Sequence, residues 1–200
     1  TPNEDGNVVT VKALENSTDV DGSHGNDGLM VTGLPATLPA GITYDAADKS
    51  FSLDPTNAAY QSLSQGETRD VVVNYVVSDG FVDVPTSAIF TVTGRNDVPV
   101  VSGTVQAGSV GEDAASVDIN LLANASDVDH LDVLHVKTGQ GSAVTASVTG
   151  GTWTAPLAFS VVNDHLVLNP AQFNSLKAGE TVDITFNYVV TDGNKQSVDP

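Results

Sequence analysis

Acidic side chains recur in this chain at matched positions. Glu4-Asp5 is echoed by Glu112-Asp113, and the "DVD" carrying Asp19 and Asp21 by the "DVD" carrying Asp127 and Asp129, both displaced by 108 residues. "NYVVSDG" at 74–80 returns as "NYVVTDG" at 187–193, displaced by 113, so Asp192 matches Asp79. Near the midpoint, "GRNDVPVV" sets Asn96 and Asp97 just ahead of Pro99. Such oxygens bind hard cations, act in pairs as general acid and base, or cap turns. One "DxD" reads as turn chemistry. A set that recurs as a unit asks for a shared purpose.

The charge balance narrows the options. Against 25 acidic residues stand 7 basic ones, a formal net charge of −18, which repels nucleic acid and anionic membrane surfaces and attracts cations. There is no cysteine, so disulfides and thiolate metal sites are excluded. A hydrophobic share of 40% supports packed cores. No apolar run approaches the roughly 18 residues of a membrane span, and no signal-peptide pattern is present. The opening "TPNEDG" reads as the interior of a longer chain.

The elements that must position these residues read as strands. "VVTVKAL" (8–14), "DVVVNYVVSD" (70–79), "AIFTVTG" (88–94), "SVDINLL" (116–122) and "VDITFNYVVTD" (182–192) alternate Val, Ile, Thr, Tyr and Phe with polar residues or run apolar. "ITYDAADKSFSL" and "FSVVNDHLVL" read as hairpins with Asp/Asn turns. "ASVTGGTWTA" (146–155) reads as a further hairpin around Gly150-Gly151, accounting for most of the five residues by which the second copy is longer. "TNAAYQSL" and "AQFNSL" each suggest one helical turn. Trp153 and the tyrosines read as core or hairpin packing. The expectation is an all-β protein of two tandem β-sandwiches, 1–97 and 98–200, the second opening with a strand at about 104–111.

The string "EDAASVDINLLANASDVDHLDVLHV", the succession "LSQGET…NYVVSDG" and the closing "VTGRNDVPVV" resemble the VCBS and cadherin-like repeats of giant RTX-type bacterial surface adhesins. The resemblance covers nearly the whole chain. It implies seven-stranded, Ig-like Greek-key sandwiches arranged end to end as an extracellular stalk, with calcium at the junctions. A seven-stranded unit is entered at one end and left at the other. Stacking then brings Glu4, Glu67, Asn96 and Asp97 of the first repeat towards Asp127, Asp129, Asp132 and Asp192 of the second. All eight carry oxygen donors, which suits calcium, with Pro99 stiffening the joint. Zinc would call for His or Cys, and the four histidines share no site-like spacing. Asp19, Asp21, Asp27 and Asp79 form the matching set at the leading end of the first repeat, expected to be incomplete within this chain. The second repeat stops before a counterpart of "TSAIFTVTGRND", an expected unpaired sheet edge.

The implied function is that of a calcium-rigidified extender, secreted or on the bacterial cell surface, spacing an adhesive tip from the cell. Its partners are calcium and neighbouring repeats, without nucleic acid or direct membrane insertion. The expected affinity is a Kd of about 10⁻⁴–10⁻³ M, as in other extracellular modules. Two alternatives stand beside it: a sugar- or peptide-binding module with a weak glycan or peptide ligand, or the spacer of a secreted hydrolase. Catalysis by the chain itself is not expected, since "GxSxG", "HExxH" and P-loop patterns are missing. A glycosidase-like carboxylate pair needs a groove deeper than a sandwich of about 100 residues usually encloses. "NST" (16–18) and "NAS" (124–126) match the glycosylation pattern but precede the acidic loops and read as coincidental.

Overall fold

The computed structural model describes residues 1–20, 28–137, 144–193 and 197–198. Asp21 and Asp27 lie outside them. The chain divides into two compact units, Thr1–Asn96 with Asp129–Leu131, and Asp97–Val128 with Asp132–Pro200. Among the described residues both are all-β apart from one short 3₁₀ turn.

In the first unit the strands are β1 (Val9–Lys12), β2 (Met30–Thr32), β3 (Ile42–Asp45), β4 (Ser50–Leu53), β5 (Thr68–Ser78) and β6 (Asp83–Thr93). They form two antiparallel sheets, ordered β1-β4-β3 and β2-β5-β6. Asn3 adds a single parallel bridge to Thr93 on the outer side of β6. The β3–β4 turn follows the Asp chemistry of its sequence, with Asp45 Oδ1 accepting the N–H groups of Ala47 (2.9 Å) and Asp48 (3.2 Å). Between the sheets, Phe51, Leu53, Val73 and Val92 are fully buried. The Phe51 ring lies 5.0 Å from Tyr44 and 5.1 Å from Tyr75.

The second unit holds β7 (Val100–Val101), β8 (Val117–Asn120), β9 (Ala125–Ser126), β10 (His135–Val136), β11 (Thr145–Thr149), β12 (Phe159–Val162), β13 (His165–Leu168), β14 (Asp183–Asn187), β15 (Val190–Thr191) and β16 (Ser197–Val198). They pair as β12-β13-β8, β11-β14, β10-β15-β16 and β7-β9. The β12–β13 hairpin turns at Asn163 (φ 50°) and Asp164 (φ 63°), two residue types that tolerate the left-handed region a tight hairpin needs. Its core gathers Leu121, Val136, Leu166, Leu168, Phe173 and Val190.

One contact reproduces the repeat atom for atom. The Tyr75 hydroxyl donates to the Ala13 carbonyl at 2.7 Å, and the Tyr188 hydroxyl to the Leu121 carbonyl at 2.8 Å. The pairs are related by the 113- and 108-residue displacements of the sequence. Burial pushes both phenols above their ordinary range of about 10. The stability linked to the protonated phenols is therefore fully present below that range and is lost as pH rises through the raised values. Tyr75→Phe and Tyr188→Phe should each cost about 1–2 kcal/mol in urea unfolding, since each leaves a carbonyl without its donor.

Several sequence expectations need correction. Residues 146–155 are not a hairpin: β11 pairs with β14, and the chain leaves the ladder at Gly150 (φ 81°) and Gly151 (φ 60°). A Cβ on Gly151 would come within 2.8 Å of Val182, so the turn needs glycine twice over. The turn sends Trp153 into the core, 4.9 Å from the Phe173 ring, with its N–H donating to the Gln172 carbonyl at 3.1 Å. The segment 104–111 is not a strand, although it is the counterpart of the residues leading into Glu4. Among the described residues of the second unit, none forms a counterpart of β6 to carry it. "VDITFNYVVTD" is two strands, because β14 answers β11 while β15 answers β10 and β16. Of the two expected helical turns, one is the 3₁₀ turn Pro170–Phe173. The other is a pair of turns in which Asn57 and Tyr60 accept from Tyr60 and Leu63.

Candidate cation sites

In the first unit the β5–β6 ladder and the Asn3 bridge converge on Glu4. Thr93 donates its N–H to Pro2 (3.0 Å) and accepts that of Glu4 (3.1 Å), fixing the Glu4 backbone against the end of β6. Gln61 Nε2 donates to the Glu4 carbonyl at 3.2 Å, and the Arg95 N–H donates to Glu4 Oε1 at 2.6 Å. Gly94 makes this end possible through close approach, since a Cβ there would sit 2.3 Å from the carbonyl oxygens of Leu63 and Ser64. Glu4 is completely buried and Asp129, of the same unit, is 2% exposed. A carboxylate oxygen of each lies within 4.8 Å of the other. Asp129 is held there by its neighbours: the His130 N–H donates to Ser62 O (3.3 Å) and that of Leu131 to Ser64 Oγ (3.0 Å).

The second unit builds its own cluster from Asp127, Asp132 and Asp192, with a carboxylate oxygen of each within 4.8 Å of the others. Three strand ends position it. Asp127 follows β9, Asp132 precedes β10, and Asp192 follows β15, the partner of β10. Asp192 is 6% exposed, and Oδ2 of Asp127 is sealed from solvent. Gly193, at φ 84°, turns the chain immediately after Asp192.

Two like unit charges at this separation repel by about 3–4 kcal/mol at an effective dielectric near 20, and three make three such pairs. A divalent cation among them converts that repulsion into attraction. Neither group includes a histidine, and the all-oxygen donor set fits a hard cation of flexible coordination such as calcium. His130, His135 and His165 lie elsewhere, each beside a different carboxylate: Glu67 (3.5 Å), Asp164 (3.0 Å) and Asp118 (2.6 Å).

The other sequence-derived ligands take different places. Glu67 joins neither cluster: its Oε2 accepts the Ser64 N–H at 3.1 Å, closing a turn with Gly66 at φ 80°. Glu180 does the same for Lys177 (2.9 Å) with Gly179 at φ 84°, so "GE" is a turn motif shared by both copies. The Asn96 N–H donates to Gln65 Oε1 at 3.2 Å, while Asp97 is half-buried at the opening of the second unit. Asp79 sits at the opposite end of the β5–β6 hairpin from Glu67. Its Oδ1 accepts the N–H groups of Val82 (2.7 Å) and Phe81 (2.8 Å), which hold its carboxyl below the usual range. Asp19 is half-buried, and among the described residues neither it nor Asp79 falls in a carboxylate cluster. The sequence reading missed the backbone N–H of Arg95 on Glu4, which no side chain advertises.

No family model matches the chain, and no curated protein matches it. Among solved structures, a crystal structure of human protocadherin-24 EC1-2 is similar at 19% identity and a TM-score of 0.39, covering 88% of this chain and 79% of that one. Mouse protocadherin-24 EC1-3 is similar at 15% identity and a TM-score of 0.37, covering 87% of this chain and 51% of that one. The chain thus spans about half the length of the mouse structure.

Proposed function

We propose that this chain is a calcium-stiffened extracellular spacer of a bacterial surface adhesin, working in series with neighbouring repeats and catalysing nothing. The observation that carries the reading is the Asp127, Asp132 and Asp192 cluster, three carboxylates gathered at strand ends with an oxygen of each within 4.8 Å of the others. The buried Glu4 and Asp129 pair supports it in the same way. Asn96 and Asp97 are proposed as further ligands from their place in the "RND" stretch alone, and Asp19, Asp21, Asp27 and Asp79 as a separate leading set. The family resemblance supplies the extracellular setting. There, millimolar calcium suits sites of about 10⁻⁴–10⁻³ M affinity. A sugar-stacking role for Trp153 has no comparable support, because its ring packs on Phe173 and its N–H is engaged by Gln172.

Titration calorimetry with calcium tests the reading. Binding is expected at sub-millimolar to millimolar concentration, weaker with magnesium, and at least tenfold weaker in Asp127→Asn and Asp192→Asn. Small-angle scattering should show a larger, better-defined maximum dimension with calcium than with chelator. Absence of calcium binding up to about 10 mM would sink the proposal, as would binding indifferent to both substitutions.

A further inference from the structure

The β5–β6 ladder runs unbroken from Thr68↔Thr93 to Ser78↔Asp83. Val71, Val73 and Tyr75 of β5 and Phe90 and Val92 of β6 are buried in the core. The pleat therefore turns the residues between them away from it: Val72 beside Ile89, Asn74 beside Ser87, and Val76 beside Pro85. Val72 is 42% exposed although β5 is the central strand of its sheet, and Ile89 is 59% exposed. Met30 of β2, opposite Ser78, adds a third apolar side chain, 45% exposed. A strand added beside β6 would widen this face without covering it, because side chains stand roughly perpendicular to a sheet.

Acidic residues bound the face rather than occupy it. Asp70 lies at one end, accepting the Thr91 hydroxyl at 2.7 Å, and Asp83 lies at the other. Between them no residue on this face is charged, in a chain of net charge −18. The second unit shows that the fold does not require the apolar centre. At the 113-residue displacement Asp70, Asn74 and Val76 return as Asp183, Asn187 and Val189, but Val72 becomes Thr185, exposed on β14 opposite Ser147.

We infer that the outer face of β2-β5-β6 is a docking surface for the same face of a second copy of this chain, with Val72 and Ile89 of each copy at the centre. A flat, uncharged face holds no charge to draw an acidic or basic partner. It does suit its own copy. Two strongly acidic chains come together closely only where neither presents charge. The Asn74 amide both donates and accepts, so it can answer itself across a two-fold axis. From Asp70 to Ser78 the strands run about 27 Å and the three strands span about 14 Å, which offers about 300–400 Å² per copy. The total of about 600–800 Å² lies below the size of stable complexes and sets a weak contact, with a Kd of about 10⁻⁴–10⁻³ M.

The cysteine-free chain makes the test direct, and chelator keeps it separate from any cation-linked association. Ser87→Cys, on the face, and Thr43→Cys, exposed on the other sheet of the same unit, are each treated with a short bis-maleimide. Ser87→Cys is expected to give at least tenfold more cross-linked dimer. Sedimentation of the parent chain should show mass rising above 20.6 kDa between about 50 µM and 1 mM. Raising salt from about 50 to 500 mM should tighten association at least threefold, since it screens the repulsion between copies. Val72→Thr, which installs the residue of the second unit, should weaken association at least threefold, and Ile89→Lys should abolish it. Both sites are exposed, so urea midpoints matching the parent's will show that these variants fold. A monomer at every concentration overturns the inference. So do equal yields from the two cysteine chains, or association indifferent to both substitutions.

Discussion

Thermal unfolding of the second unit is expected about 6–20 °C higher in about 10 mM calcium than in chelator. The estimate follows from mass action. With a Kd of about 10⁻⁴–10⁻³ M, that concentration exceeds Kd by about ten- to a hundredfold and stabilises the bound form by about 1.4–2.7 kcal/mol. For a domain of this size each kcal/mol moves the midpoint by about 4–8 °C. Asp127→Asn should remove most of the calcium increment. In chelator the same variant supplies the reference midpoint against which that loss is read. Scanning calorimetry decides it. A midpoint indifferent to calcium, or an increment unchanged in Asp127→Asn, would remove the physical basis for calling the cluster an ion site.

Phe51→Ala should cost the first unit about 3–5 kcal/mol, a large part of the 5–15 kcal/mol typical of a whole domain. Phe51 is fully buried, with Tyr44 and Tyr75 within 5.0 and 5.1 Å on either side. The β1–β4 and β3–β4 ladders pin its backbone, so the hole left by the ring can collapse only partly. Urea unfolding followed by hydrogen exchange should place the loss in β1 to β6. Leu166→Ala, fully buried in the other core, should instead weaken β8, β12 and β13 by about 2–5 kcal/mol. Protection lost equally throughout the chain in both variants would contradict this assignment of cores.

The sequence carried much of this because local chemistry and repetition agreed. The Asp45 and Asn163-Asp164 turns are where residues suited to tight turns interrupt period-two strands. The Tyr75 and Tyr188 bonds recur because the same aromatic returns at the same point of the repeat. What escaped was decided by partners distant in sequence. Gly150-Gly151 carries a hairpin signal, but β14 was the better ladder for β11 and Trp153 the better cover for Phe173. The segment 104–111 has strand-like residues and joins no ladder among the described residues. In the acidic loop, Asp129 falls with Glu4 in the first unit while Asp127 and Asp132 fall with Asp192 in the second, a division that the "DVDHLD" spacing does not announce. On "GE" the sequence carries no mark distinguishing a cap from a donor, and the Glu67 carboxylate accepts the Ser64 N–H.

The first unit is discontinuous, since Asp129–Leu131 complete it only after the intervening residues 97–128 have been made. A ribosome therefore delivers nearly all of its framework while the residues that bond to Ser62 and Ser64 are still to come, 67 and 68 positions further along. Closing so wide a loop adds little to the equilibrium penalty, because each doubling of length costs only about 0.6 kcal/mol. The toll falls on timing: Glu4 waits beside an unfinished surface until its neighbour has been translated. Maturation of one unit is thereby tied to synthesis of the next.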